Sequence, residues 1–312
     1  MPERIVSQDV LRALLGQETI DMVWGAGADE YKRGEMAYKK VFDQKNTTKQ
    51  LVELLVHKAL PYGGEISEGA DRVHNKMYQL WITNIYMQYY QSNYIVTWQT
   101  LNHLTKMQII KNLLTGTKER AMSLQMKKDR VHGIFLNNYD LSTQVFGDGK
   151  PIGSTTQPNG DGSTFSNLST ASASVNEVSI EAAVKVLRKY VDTGGKAIMP
   201  SPDCILSGTD LEFDVARLLQ TEYTLGTNNN DKNIISSNKY IKKGHIMSPH
   251  IANDGSFFIC TDVPNGLTTF TFKEPIFDML PVPGKYDTEF TALDAYVPAI
   301  GDKRSIYVYP RV

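Results

Sequence analysis

Cysteine is scarce in this 312-residue chain: Cys204 and Cys260 are the only two, each alone in its neighbourhood. Two isolated thiols make neither a zinc spacing nor a disulfide framework, so a reducing compartment is the default expectation. An excess of either charge is also lacking, with 33 Lys and Arg against 34 Asp and Glu and a formal net charge of −1. No run of about five like charges breaks that balance. Without a basic excess to condense onto phosphates, nucleic-acid binding as the main task is disfavoured. No window approaches the roughly 18 consecutive apolar residues of a membrane span. The start Met1-Pro2-Glu3-Arg4-Ile5-Val6 has none of the parts of a signal peptide. The expectation is a soluble protein made inside the cell, with no membrane partner. On that expectation the glycosylation-like triplets at Asn46 and Asn167 are chance matches.

The motifs of catalysis are missing too. Gly25-Ala26-Gly27 lacks a third glycine and a preceding strand, so it is no dinucleotide loop. No Walker-type run and no Gly-x-Ser-x-Gly elbow occur. Asn159-Gly160-Asp161-Gly162-Ser163 has the middle of a calcium loop without its flanking acids or closing glutamate, and reads as a turn. Of the six histidines, only His245 and His250 are close enough in sequence to approach a shared metal, and then only with a carboxylate from elsewhere. The turn-histidine reading is preferred. No catalytic residue, cofactor or metal is assigned, and no enzyme is expected. The one enzymatic alternative is a hydrolase using residues 147–174, with Ser163 or Ser166 meeting a histidine.

What is present is an order of parts. Residues 1–43 carry almost no fold of their own: a short helix fits Ser7–Leu15, and Gly25-Ala26-Gly27-Ala28 interrupts it. Tyr31–Phe42 is too polar to offset its own ordering entropy and is either disordered or pinned by neighbours. Lys49–Leu60 and the run beyond Pro61-Tyr62-Gly63-Gly64 predict an extended hairpin. Tyr78–Trp98 is dense in aromatic and β-branched residues and predicts strand, its aromatics forming a sheet core. From about 102 to 135, Leu104, Met107, Ile110, Leu114, Ala121, Leu124, Val131 and Phe135 recur at helical spacing. Lys106, Lys111, Lys118, Glu119, Lys127 and Lys128 fall mostly on the other faces, and Gly116 marks a weak point. Gly147–Ser174 reads as loop. Val178–Tyr190 predicts a second helix capped by Asn176 or Ser179 and stopped at Gly194-Gly195. Cys204–Leu206 predicts a buried strand, Leu211–Leu219 a third helix and Thr227–Lys232 an exposed loop. Phe257–Cys260, Leu267–Lys273, Tyr286–Tyr296 and Ile306–Tyr309 predict strands. The mix is α+β without a βαβ rhythm, which excludes a Rossmann sheet or an α/β barrel. An arm and a hairpin that cannot bury themselves imply burial against other copies of the same chain.

The succession Asp148-Gly149-Lys150-Pro151-Ile152, Gly160, Gly162, Phe165-Ser166-Asn167-Leu168, the helix after Val178, and Ile198-Met199-Pro200-Ser201-Pro202-Asp203 is distinctive as an order. Leu211-Glu212-Phe213, Ser248-Pro249-His250 and Asp262-Val263-Pro264-Asn265-Gly266 continue it. Over residues 148–270 this order resembles the major capsid proteins of tailed bacteriophages, whose fold is named for phage Hong Kong 97. The resemblance implies an N-terminal arm at 1–45 and an extended loop at 46–80. A peripheral domain at 81–195 would carry a spine helix near 102–135, with an axial domain at 196–262 and returning strands at 263–312. It also implies subunits joined as hexamers and pentamers in an icosahedral head around double-stranded DNA. Leu60, Pro61, Tyr62, Gly63, Gly64, Glu65 and Glu68, at the hairpin tip, would then touch neighbouring subunits. Portal and cement proteins are further implied partners. A scaffold is expected as a separate protein or not at all, since the chain starts within a few residues of the arm. Location in the virion, after synthesis in the host bacterial cytoplasm, follows from the same likeness. Some relatives cross-link subunits through Lys–Asn bonds; Lys58, Asn75 and Lys76 lie on the loop, but nothing local shows that chemistry. The nearest alternative is an encapsulin-like compartment shell.

Overall fold

The computed structural model describes residues 17–33, 36–60, 77–142, 144–223 and 232–311. The expected helix at Ser7–Leu15, the tip residues Pro61, Tyr62, Gly63, Gly64, Glu65 and Glu68, and most of the loop at 227–232 lie outside the described residues.

The long helix governs the arrangement. It runs as α4 from Lys106 to Asn137, 32 residues, or about 48 Å at 1.5 Å per residue. Its start is set locally. Thr105 accepts from the Gln108 backbone and Gln108 returns a bond to the Thr105 N–H, a reciprocal capping box. The preceding turn, α3 at Trp98–His103, is therefore a separate short helix. Gly116 does not interrupt α4; a Cβ there would reach ordinary contact distance, 3.4 Å, from the Tyr94 ring and the Arg120 guanidinium.

Two further helices correct the sequence expectation for the arm. Residues Gln17–Arg33 form α1, and Ala37–Val41 form α2. The Gly-Ala-Gly segment, expected to interrupt, lies inside α1. At Gly27 a Cβ would meet Thr117 of α4 at 2.6 Å, so glycine is what lets the two helices touch. The roughly 1 kcal/mol propensity cost of a helical glycine is offset by that packing. Tyr38 and Phe42 are buried against Phe135 and Leu136, so the Met36–Phe42 part of this stretch is pinned by its neighbours.

Two four-stranded sheets pack on α4. In the first, β1 (Asp43–Asn46), β10 (Leu267–Pro281), β11 (Thr288–Ile300) and β4 (Gln88–Val96) lie in the order β1-β10-β11-β4. The β10–β11 hairpin is longer than the sequence suggested, because Pro275 interrupts the ladder without ending it. Register shifts at Thr271–Lys273 and Lys273–Ile276 accommodate a residue with no N–H to donate. The second sheet runs β12-β9-β7-β8, with β7 at Pro202–Ser207, β8 at His245–Met247, β9 at Phe257–Thr261 and β12 at Ile306–Tyr309. It is covered on both faces. Cys204, Leu206, Phe258, Cys260, Ile306 and Val308 face the end of α4, while Ile205, Phe257, Ile259, Tyr307 and Tyr309 face α5 (Glu177–Leu187) and α6 (Glu212–Gln220). Both Asn176 and Ser179 cap α5, in a second capping box.

The aromatic run at 78–98 departs from expectation. It splits into β3 (Gln79–Tyr86) and β4, which belong to different sheets. Only Met87 and Val96 within it are buried; Tyr78, Tyr86, Tyr89 and Trp98 are exposed. A sheet core was expected here. Among the described residues most of the run's large side chains instead lie at or near the surface.

Candidate assembly interface

The two-stranded sheet of β2 (Leu51–His57) and β3 stands off the body. Strand alternation gives it two faces. Val52, Leu54 and Ile85 turn inward and pack beside Met87 and Phe270. The opposite face carries Leu51 against Tyr86 and Leu55 against Ile82, and Leu55, Ile82 and Tyr86 are exposed, Tyr86 at 69%. Leu60, Met77 and Tyr78 at the described end of the hairpin are exposed as well. The exposed Glu53–Asn84 pair lies between the two apolar rungs on the same face, so the face alternates apolar and polar rungs. Beneath the hairpin is an open cleft of about 470 Å³, between Leu54, Val56 and Trp81 above and Phe270, Lys303 and Arg304 below.

A few contacts hold the hairpin in place. Thr193 Oγ1 accepts from the Ala59 N–H at 2.8 Å and donates to the His57 carbonyl at 3.0 Å. The Gly147 N–H donates to Thr83 Oγ1 at 2.9 Å. Glycine is required at these crossings: a Cβ on Gly194 would lie 2.7 Å from the Ala59 carbonyl oxygen, and one on Gly147 would run into the Ile82 backbone. The Gly/Ser/Thr/Asn-rich stretch is loop, as expected, with only two-residue strands at Gln157–Pro158 (β5) and Thr164–Phe165 (β6). It is nevertheless internally bonded. Asn167 Nδ2 donates to the carbonyls of Ile152 and Lys303, and the buried Lys303 ammonium sits 2.7 Å from Asp148.

The inner face of α4 carries ionisable groups that the helical stripe left out. Lys128, placed by sequence on an outer face, is 4% exposed, and its ammonium lies 3.9 Å from a fully buried Asp294. It donates to Tyr31 Oη and Thr271 Oγ1, both at 3.3 Å. Tyr31 of α1 in turn donates to Asp294 at 2.6 Å. Burial pushes Lys128 down and Asp294 up from their ordinary values, each opposed by the other's charge. One turn on, His132 stacks on Tyr38 at 4.6 Å; its Nδ1–H donates to the Lys128 carbonyl and its Nε2 accepts from Thr269. Burial holds it neutral, with a pKa lowered to about 4. At the end of α4, Gly133 admits His250, whose carbonyl would lie 2.7 Å from a Cβ there. Asn137 bonds the His250 carbonyl and the Ala252 N–H, both at 3.0 Å. Lys128 and His132 were findable: they continue the spacing of Leu124 and Leu136 in steps of four, and only their polarity hid them.

The groups considered for chemistry do not converge. Ser163 Oγ donates to Asp161 and Ser166 Oγ to the Leu168 carbonyl, and no histidine contacts either among the described residues. Asn159–Ser163 forms the expected turn, with Gly160 and Gly162 at positive φ. His245 lies 2.8 Å from Ser207, whereas His250 faces Asp129 at 3.9 Å, so the two do not share a site. Ser207 is fully buried and donates to the Gly208 carbonyl, which leaves its oxygen to accept from His245 and makes it no nucleophile. Among the described residues no group of three His, Cys, Asp or Glu side chains is arranged for a metal. Among the described residues no helix is long and apolar enough to cross a membrane.

This architecture recurs in solved shells. The chain superposes on a virus-like particle from Pyrococcus furiosus with a TM-score of 0.56 at 12% identity, covering 93% of this chain and 98% of that one. The Mycobacterium phage Adephagia structure gives 0.54 at 11% identity, covering 88% and 89%. The capsid of the native GTA particle gives 0.54 at 11% identity, covering 88% and 91%. No family model and no curated protein matches the sequence. At these identities the likeness establishes the fold, and it is the Hong Kong 97-type capsid fold that the order of segments had suggested.

Proposed function

We propose that this chain is the major capsid protein of a phage head, a structural subunit that closes into hexamers and pentamers of an icosahedral shell. The observation that carries this reading is the β2–β3 hairpin, whose outer face leaves Leu55, Ile82 and Tyr86 exposed on either side of the polar Glu53–Asn84 pair. A subunit that leaves such side chains open gains by placing them on a neighbour, and many modest contacts in a closed shell add by avidity. The division into arm (1–45), extended loop (46–80), peripheral domain (81–195), axial domain (196–262) and returning strands (263–312) belongs to this reading. So do the tip residues Leu60 to Glu65 and Glu68 as subunit contacts. Double-stranded DNA would be enclosed without sequence preference, through phosphate charge alone. A separate scaffold, a portal and cement proteins would be its other partners.

The test is electron microscopy and light scattering of the purified protein, with Leu55→Asp/Ile82→Asp beside it. Closed shells or rings of five and six are expected for the parent, and dispersed subunits with unchanged circular dichroism for the variant. A parent that stays monomeric at high concentration overturns the reading. Enzyme cargo in place of DNA would reassign the shell to a storage compartment.

A further inference from the structure

Cys204 and Cys260, 56 positions apart in the sequence, are direct partners across the antiparallel β7–β9 ladder. Opposed residues on antiparallel strands share a face, and both thiols lie in the same apolar cluster with Leu206, Phe258 and Ile306. The Ile205 N–H donates to Gly244 beyond β8. By alternation Cys204 therefore turns its backbone toward β9, which makes this a hydrogen-bonded pair. Such pairs hold their Cα atoms about 5.5 Å apart, inside the roughly 4.4–6.8 Å that a disulfide spans. The Cys204 thiol beside it and burial hold the Cys260 proton well above the usual thiol range.

We propose that Cys204 and Cys260 are a dithiol modification site that closes reversibly into a cross-strand disulfide within one subunit. The co-reactant is a low-molecular-weight disulfide. Cys204, as thiolate, attacks one of its sulfurs and releases the first small thiolate, leaving a mixed disulfide on Cys204. Cys260 then gives up its proton and attacks the Cys204 sulfur, which expels the second small thiolate. Two protein S–H bonds are lost and one S–S bond is gained. The electron pair and both protons end on two small thiols.

Two features favour the step. The register shifts between Pro202 and Cys204, so the ladder can shear where the bridge must draw the Cβ atoms together. Cys260 also pairs with Ile306, the first residue of β12, so it lies at the end of the β9–β12 ladder, where fraying opens a sheet first. The β7–β9 ladder continues one rung further, to Pro202–Thr261. A bridge across a hydrogen-bonded pair is strained, and strained disulfides are the readily reduced ones. What the bridge does for a shell rests on the proposed function; its formation does not.

The experiment exposes the purified full chain to oxidised glutathione, then denatures it, blocks free thiols with N-ethylmaleimide and maps it by mass spectrometry. The parent is expected to lose the mass of two hydrogens, to take up no maleimide and to yield a linked Cys204–Cys260 peptide that dithiothreitol separates. Cys260→Ala is expected to retain one glutathione on Cys204, since nothing resolves it. Two maleimides on the treated parent, or cross-links only between subunits, overturn the proposal. The parent map decides by itself if the variant does not fold. Because the readout is intramolecular, it stands whether or not the protein forms shells.

Discussion

Tyr31 of α1 donates a hydrogen bond of 2.6 Å to Asp294 at the centre of β11, 263 positions away in sequence. The bond ties a helix from the nominal arm to a mostly buried central strand, across the ammonium of Lys128. Asp294 is an acid with its charge opposed by burial, so each donor it keeps matters.

Tyr31→Phe removes that donor and leaves the ring. A cost of about 1–3 kcal/mol is expected, the range for stranding a buried hydrogen-bonding group. Hydrogen exchange is expected to quicken first across Gln17–Arg33, since α1 loses a deep polar anchor to β11. Uniform acceleration along the chain would contradict the assignment.

His132 sets a pH dependence. It is neutral in the folded state, with its pKa lowered to about 4 by burial, whereas the unfolded chain takes up the proton near the ordinary value of about 6.5. The unfolded state therefore binds more protons between those limits. Stability from this group is full above about pH 6.5, falls as pH drops toward about 4 and levels off below; at about 1.4 kcal/mol per unit the loss is about 3 kcal/mol. His132→Gln is expected to be less stable near neutrality and to lose less on acidification. Melting temperatures of both proteins at about pH 7.5 and about pH 4.5 give the comparison.

Lys303→Met leaves Asp148, itself 6% exposed, without its ion partner. Breaking one half of a buried pair typically costs about 3–5 kcal/mol. Adding Asp148→Leu is expected to recover most of the loss, because the stranded charge goes with it. A double-mutant cycle by guanidinium denaturation measures the coupling.

Gly147→Val drives a side chain into the Ile82 backbone. The hairpin is expected to lift from the body while both four-stranded sheets persist, and shell assembly is expected to be lost. Gly149→Ala is the control: its φ is +73° and a Cβ there meets nothing, so it costs about 1 kcal/mol and leaves assembly intact. Exchange rates in Gln79–Tyr86 and light scattering report the two effects separately.

Much of this fold was legible because its elements announce themselves locally. Asn176 and Ser179 mark the start of α5, and the strands near 257, 267 and 306 stand between Pro and Gly turns. The features missed depend on partners distant in sequence. Gly27 resembles a helix breaker until Thr117 lies against it. Lys128 resembles a solvated charge until Asp294 and Tyr31 are in place. The aromatics of 78–98 could be assigned to strand but not to a face, since the pairing partner changes at Met87 from β2 to β11. The cysteines looked isolated for the same reason: a ladder register, not a spacing, opposes them. Of the candidate contact residues only Leu60 lies among the described residues, and it is exposed.

The change of partner at Met87 also makes the subunit a transmission. From Gln79 to Val96 the backbone passes from the hairpin into the central sheet across a single residue, whose N–H is held by the Gln50 carbonyl at 3.0 Å. No loop intervenes to absorb slack. A load applied to the projecting hairpin is delivered as shear along the β4–β11 ladder, where every rung from Gln88 to Val96 shares it at once. Because α4 packs on that same sheet, a tug on one subunit's hairpin is felt along its spine as tension instead of being spent in a hinge.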